Sequence, residues 1–204
     1  MDDTRLAQVG GACAVVGGCA WTAASIMHAS QPRGCVGSEC DYLPMRSAST
    51  GTAVLVALAA AMMIACGTTL MLLVRRRNEL GRTGVLGAAA CGFGIGALAL
   101  AAGVQALAYD GDFPWMPAFV GPGVAALVVG LALVAWTVLR SRVVPTWAGI
   151  GLLIGAVLLL GTNEQTTAVL LAVPFGVAWL ATGAALLLRR PEGAPAAPGP
   201  AVRA

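Results

Sequence analysis

Six apolar stretches separated by short polar ones set the pattern of the chain. Residues 8–28, 52–74, 83–108, 118–139, 144–161 and 167–188 contain no Asp, Glu, Lys or Arg. None alternates polar and apolar positions, and each is about twice as long as a barrel strand, so helices are expected rather than β-structure. An apolar helix needs roughly 20 residues to cross about 30 Å of hydrocarbon, and the six stretches approach or exceed that length. The expected fold is all-α, a polytopic transmembrane bundle of six helices forming one domain over residues 1–190. Loops of four to nine residues join the second to sixth stretches, which makes sequence neighbours run antiparallel and side by side.

Composition agrees with the pattern. Charged residues make up 10% of the chain and hydrophobic ones 58%, whereas a soluble domain carries roughly 25% charged residues; mean hydropathy is +0.84. A soluble globule is excluded. All twelve basic residues are arginine, and they are unevenly spread. Arg5, Arg75, Arg76, Arg77, Arg82, Arg140, Arg142, Arg189, Arg190 and Arg203 fall on one side of the threading. Arg33 and Arg46 fall on the other, with Glu39, Asp41, Asp110, Asp112 and Glu164. Cytoplasmic loops collect positive charge, so both termini are expected in the cytoplasm and loop 29–51 outside the plasma membrane. The first stretch is expected to be an uncleaved helix, because Met1-Asp-Asp-Thr-Arg lacks the basic flank of a secretory signal. Residues 191–204 are proline-rich with little to bury, and are expected to be a disordered cytoplasmic tail.

Small residues suggest how the helices approach, because backbone contact at glycine and alanine drives packing where lipid removes the hydrophobic force. Gly10, Ala14, Gly18 and Thr22 recur every four residues in the first stretch, and Gly84, Ala88, Gly92 and Gly96 do so in the third. Both helices are therefore expected to be central. Pro174 is expected to kink the sixth helix, while Pro122 and Pro145 lie near helix starts, where proline costs little. Trp115, Trp147, Tyr42 and Tyr109 are placed as interface anchors. Trp21, Trp136 and Trp179 are expected to fill space between helices.

An ionisable group within a span usually marks an ion path or a catalytic centre. These stretches hold none, which counts against an ion-coupled transporter and an intramembrane hydrolase. Gln105, one turn from the outer end of the third stretch, is expected to bond another helix or face a pocket. Cys13, Cys19, Cys66 and Cys91 are expected to act as small apolar residues. Cys35 and Cys40 bracket Val-Gly-Ser-Glu in the long outer loop, where an oxidising environment favours a structural disulfide; the Cys-x-x-Cys spacing of a redox pair is absent. His28 could join Asp110, Asp112, Glu164 and Gln105 in an outer-face polar site if the loops converge, the ordinary alternative being solvated loop charges. No catalytic residue, cofactor or metal is expected. The Arg75–Arg77 run reads as a topology determinant that meets anionic headgroups, and nucleic-acid binding by so short a loop is not expected.

Pro145-Thr-Trp-Ala-Gly-Ile-Gly-Leu-Leu-Ile-Gly and Ala172-Val-Pro-Phe-Gly-Val-Ala-Trp-Leu-Ala-Thr-Gly together resemble the last two helices of small uncharacterised six-helix integral membrane proteins of high-GC actinobacteria. That resemblance implies a bacterial plasma membrane and brings no catalytic residues. The expected function is that of a non-enzymatic accessory or sensor component acting through contacts at its outer loop, with the lipid bilayer and another membrane protein as the expected partners. The alternative is a small permease or channel for a neutral or lipophilic solute. A membrane enzyme with an outward site around His28 is a third class.

Overall fold

The computed structural model describes residues 2–108 and 115–189, without the side chains of 102, 103 and 105–108. Six helices carry the chain: α1 (Asp3–Ala29), α2 (Thr50–Arg76), α3 (Gly81–Ala108), α4 (Met116–Ser141), α5 (Thr146–Leu158) and α6 (Val173–Leu187). Short 3-10 turns occupy Gly37–Asp41, Leu159–Gly161 and Thr167–Ala172, and no strand occurs among the described residues. Five segments are long and apolar enough to cross a membrane. The exception is α5, which with its 3-10 end runs only over Thr146–Gly161. It covers about 25 Å, less than a full hydrocarbon core. The stretch 144–161 expected as a sixth full span is thus a shorter apolar helix.

Local chemistry sets the ends. Asp2 Oδ1 accepts the Arg5 N–H at 2.7 Å, so α1 begins five residues before its apolar run. Ser49 Oγ accepts the Thr52 N–H and starts α2. The α2–α3 turn uses left-handed backbone at Asn78 and Gly81, and the α4–α5 turn uses it at Arg142. Pro174 does not kink a continuous helix. The chain runs as a 3-10 turn up to Ala172, so Pro174 lies in the first turn of α6, where its missing N–H breaks no ladder bond. Pro122 is the proline inside a helix, because α4 starts at Met116.

Helix α1 is held between α2 and α6, while α5 lies between α4 and α6 and α3 packs on α4. Two small-residue stripes run along α1 at steps of three or four residues. Gly10, Cys13 and Gly17 share the face toward α2: a methyl on Gly10 would lie 2.5 Å from Thr69 Cγ2, and one on Gly17 3.0 Å from Met62 Cβ. Gly11, Ala14, Gly18 and Thr22 face α6. A methyl on Gly18 would lie 2.5 Å from the Gly176 carbonyl oxygen, and one on Gly183 2.9 Å from Ala14 Cβ. The expected row Gly10, Ala14, Gly18 is therefore split between two partners, Gly10 serving α2 and the others α6. The α1–α2 register holds along the whole seam, from the Asp3–Arg76 ion pair at 2.6 Å, through Gly10 against Thr69 and Gly17 against Met62, to Gly51 against Met27 Cε.

The expectation for α3 is corrected. This helix lies at the edge of the bundle, and its packing face is Gly84, Gly87, Cys91 and Gly94. Gly87 closes on the Gly130 carbonyl, and a methyl on Gly94 would lie 2.7 Å from that of Gly123. Ala88, Gly92 and Gly96 are exposed, and nothing lies within 4 Å of a methyl added to Gly92 or Gly96. A row at strict four-residue spacing drifts around a helix of 3.6 residues per turn, so only Gly84 of that row meets α4. Trp136 is also corrected: at 49% exposure it faces outward from α4. Trp179 is buried and Trp21 half-buried, and both set edges against Phe175, with centroids 5.6 Å (Trp21) and 6.1 Å (Trp179) away.

Candidate functional site

Arginine-bearing turns gather at one end of the bundle, where Arg189 Nη1 donates to the Val143 carbonyl. The opposite end carries the disulfide loop. There Cys35 and Cys40 are bonded, with Cα atoms 4.8 Å apart, and the ring is closed by the 3-10 turn Gly37–Asp41. Gly37 takes φ +61°, which a side chain would resist, and Glu39 pairs loosely with Arg33 at 3.8 Å. Cys35 is buried at 2% exposure, whereas Val36, Tyr42 and Met45 project outward at 44, 73 and 74%.

Arg46 fastens this loop to the segment between α5 and α6. Its Nε donates to the Pro32 carbonyl at 2.7 Å and Nη2 to Gln31 at 3.0 Å, tying the loop to itself. Its Nη1 reaches the Glu164 and Thr166 carbonyls at 3.2 and 3.3 Å. The planar fork with five N–H groups makes such divergent donation feasible; an ammonium could not reach as far in so many directions. Gln165 completes the fastening. Its Oε1 accepts the Arg46 N–H at 2.7 Å, its Nε2 donates to the Arg46 carbonyl, and its own carbonyl accepts the Gly34 N–H at 2.8 Å. Gly34 must be glycine, because a Cβ would collide with Gln165 Oε1 and the Arg46 backbone.

His28, at the end of α1, is 6% exposed, and its Nε2 lies 3.1 Å from the Glu164 carbonyl. A carbonyl only accepts, so Nε2 carries the proton and donates. One oxygen thus receives both His28 and Arg46, while the buried Nδ1 has no partner. Trp21 Nε1 adds a further tie, to the Ala172 carbonyl at 3.0 Å.

Of the residues expected to form an outer polar site, the structure joins His28 to the backbone of Glu164, whose side chain is exposed. Asp110 and Asp112 lie outside the described residues, as do the Gln105 side chain and the tail 191–204. No group of three or more His, Cys, Asp or Glu side chains converges among the described residues. Sequence reasoning missed Arg46, Gln165 and Gly34. The signal for Arg46 was its place, as one of two arginines on the side where the acids collect.

A void of about 10 Å³ lies among Leu70, Leu131, Val134, Ala135, Leu152, Phe175 and Trp179, all apolar apart from the indole nitrogen. No family model matches the chain, and neither a curated protein nor a solved structure matches it.

Proposed function

We propose that this is a non-enzymatic accessory or sensor component of a bacterial plasma membrane, acting through contacts made by its outer loop. Both termini are then cytoplasmic, and the disulfide end faces out. The arginine distribution supports that orientation, with ten of twelve on the inner side. The observation that carries the reading is a stiffened loop with an apolar tip. The disulfide and the Arg46–Gln165 clasp fix the backbone, while Val36, Tyr42 and Met45 of the same loop remain exposed. Ordering a loop before binding lowers the entropic cost of association, and exposed apolar groups at a loop tip favour a protein contact. A permease for a neutral solute needs a polar path through the bundle, and the void beside Trp179 is small and apolar.

The test is photo-crosslinking in the native membrane from a probe at Tyr42 or Met45, with a probe at Phe93 on the exposed face of α3 as control. A single adduct of defined mass from the loop positions, absent from Phe93, is expected. Lipid adducts alone from all three positions would refute the contact role. Uptake of small neutral solutes by proteoliposomes above empty vesicles would place transport first.

A further inference from the structure

Two thiols that the outer loop does not use face each other inside the bundle. The α1–α2 register pairs Gly10 with Thr69 and Gly17 with Met62, so Cys13 and Cys66, one turn in from each contact, come opposite one another. Gly10 and Gly17, one turn before and after Cys13, allow the two backbones to close at this level. Cys66 is fully buried, and Cys13 is half-buried against the same core. Met63 adds a third sulfur. It is three residues before Cys66 on the same helix face, 8% exposed, and its Cγ lies 3.2 Å from the position of a methyl on Gly17, so its side chain reaches into the seam.

We propose that Cys13, Cys66 and Met63 form a binding site for a soft monovalent d¹⁰ cation, copper(I) or silver(I). Thiolate and thioether donors select such ions, which accept two or three ligands. Zinc is not matched, because it takes four ligands and no further histidine or carboxylate is available in this seam. Binding is a substitution without electron transfer: one thiol releases its proton to solvent as its sulfur bonds the cation. Thiolate and cation then form a neutral pair, which avoids burying net charge among apolar helices. The second thiol and the thioether complete the coordination. Cys19, exposed on α1, and Cys91, which faces α4, lie outside this seam.

The full-length protein, purified in detergent with ascorbate and no added thiol, would be titrated with copper(I) against a chromophoric copper(I) chelator. One ion per chain is expected to resist the chelator. Cys13→Ala and Cys66→Ala are each expected to weaken binding at least about 100-fold and Met63→Leu about 10-fold, removal of a ligand exceeding the effect of a supporting contact. Cys91→Ala is expected to match the wild type. A second measurement needs no substitution: silver(I)-loaded wild type, unfolded and alkylated, should show Cys13 and Cys66 protected in its peptide masses and Cys19 labelled. Unchanged binding in the two alanine variants, or protection at other cysteines, would overturn the site. Isolation of a Cys13–Cys66 disulfide from the native membrane would overturn it as well, since the sulfurs would then be bonded to each other.

Discussion

Arg46→Ala is the sharpest probe of the clasp. The substitution removes four donated hydrogen bonds, two to exposed carbonyls at Pro32 and Glu164 and two part-buried, at Gln31 and Thr166. Charged hydrogen bonds contribute roughly 1.5–3 kcal/mol each when enclosed, and far less where water replaces the donor. Counting the part-buried pair at about 1.5 kcal/mol each, and the exposed pair as nearly replaced by water, gives a loss of about 3 kcal/mol. At 1.4 kcal/mol per decade this is roughly a 100-fold rise in local opening. Hydrogen exchange of the detergent-purified protein reads it directly at the Gly34 and Arg46 amides, whose acceptors both belong to Gln165. Exchange at these amides should accelerate about 100-fold, while amides in the middle of α1 and α4 hold their rates. Arg46→Lys should recover less than half of the loss, because one ammonium cannot span acceptors on both sides of the clasp. If both amides exchange within threefold of the wild type, the guanidinium is not what joins the loop to the α5–α6 segment.

Helix packing gives a paired contrast. Gly18→Ala forces a methyl against the Gly176 carbonyl and should cost about 1–3 kcal/mol in detergent stability, whereas Gly92→Ala should stay within about 0.5 kcal/mol. A loss at Gly92 as large as that expected at Gly18 would contradict the packing face assigned to α3, and no loss at Gly18 would contradict the α1–α6 contact. For the disulfide, a membrane-impermeant maleimide should leave Cys35 and Cys40 unlabelled on intact cells until a reductant is added. Labelling of either without reductant would show the bond to be absent. Trp21→Phe should cost about 1 kcal/mol through the lost bond to the Ala172 carbonyl and free the start of α6, seen as faster exchange over 173–176. Unchanged exchange there would remove this tie from the account.

The six helices were legible in the sequence because each contains an apolar stretch free of charge, but only five reach the length of a span and α5 falls short. The packing faces were less so. Glycine and alanine are so frequent that a row at four-residue spacing arises on any face, and the row chosen on α3 points outward, whereas Gly84, Gly87, Cys91 and Gly94 follow the true face. Pro174 misled for a different reason: the 3-10 stretch before it is itself apolar and leaves no polar break to mark where α6 begins. The Cys35–Cys40 bond was readable from spacing and loop context. The clasp was not, because Arg46 is received by backbone carbonyls, and every residue has one. His28 was singled out for its side chain, yet it meets the main chain of Glu164 rather than a carboxylate.

The place of α1 between its immediate successor and the last helix makes the order of synthesis matter. Its α2-facing stripe is covered as soon as the first hairpin inserts. The other stripe waits for α6: Gly176, the partner of Gly18, is made about 160 residues later, roughly 10–30 s at ordinary elongation rates. During that interval a smooth face of glycine and alanine lies open to the lipid and to any neighbouring helix. Chains that stall or lose their final helix keep that face open, so the stripe that closes the finished bundle stays uncovered in an unfinished one.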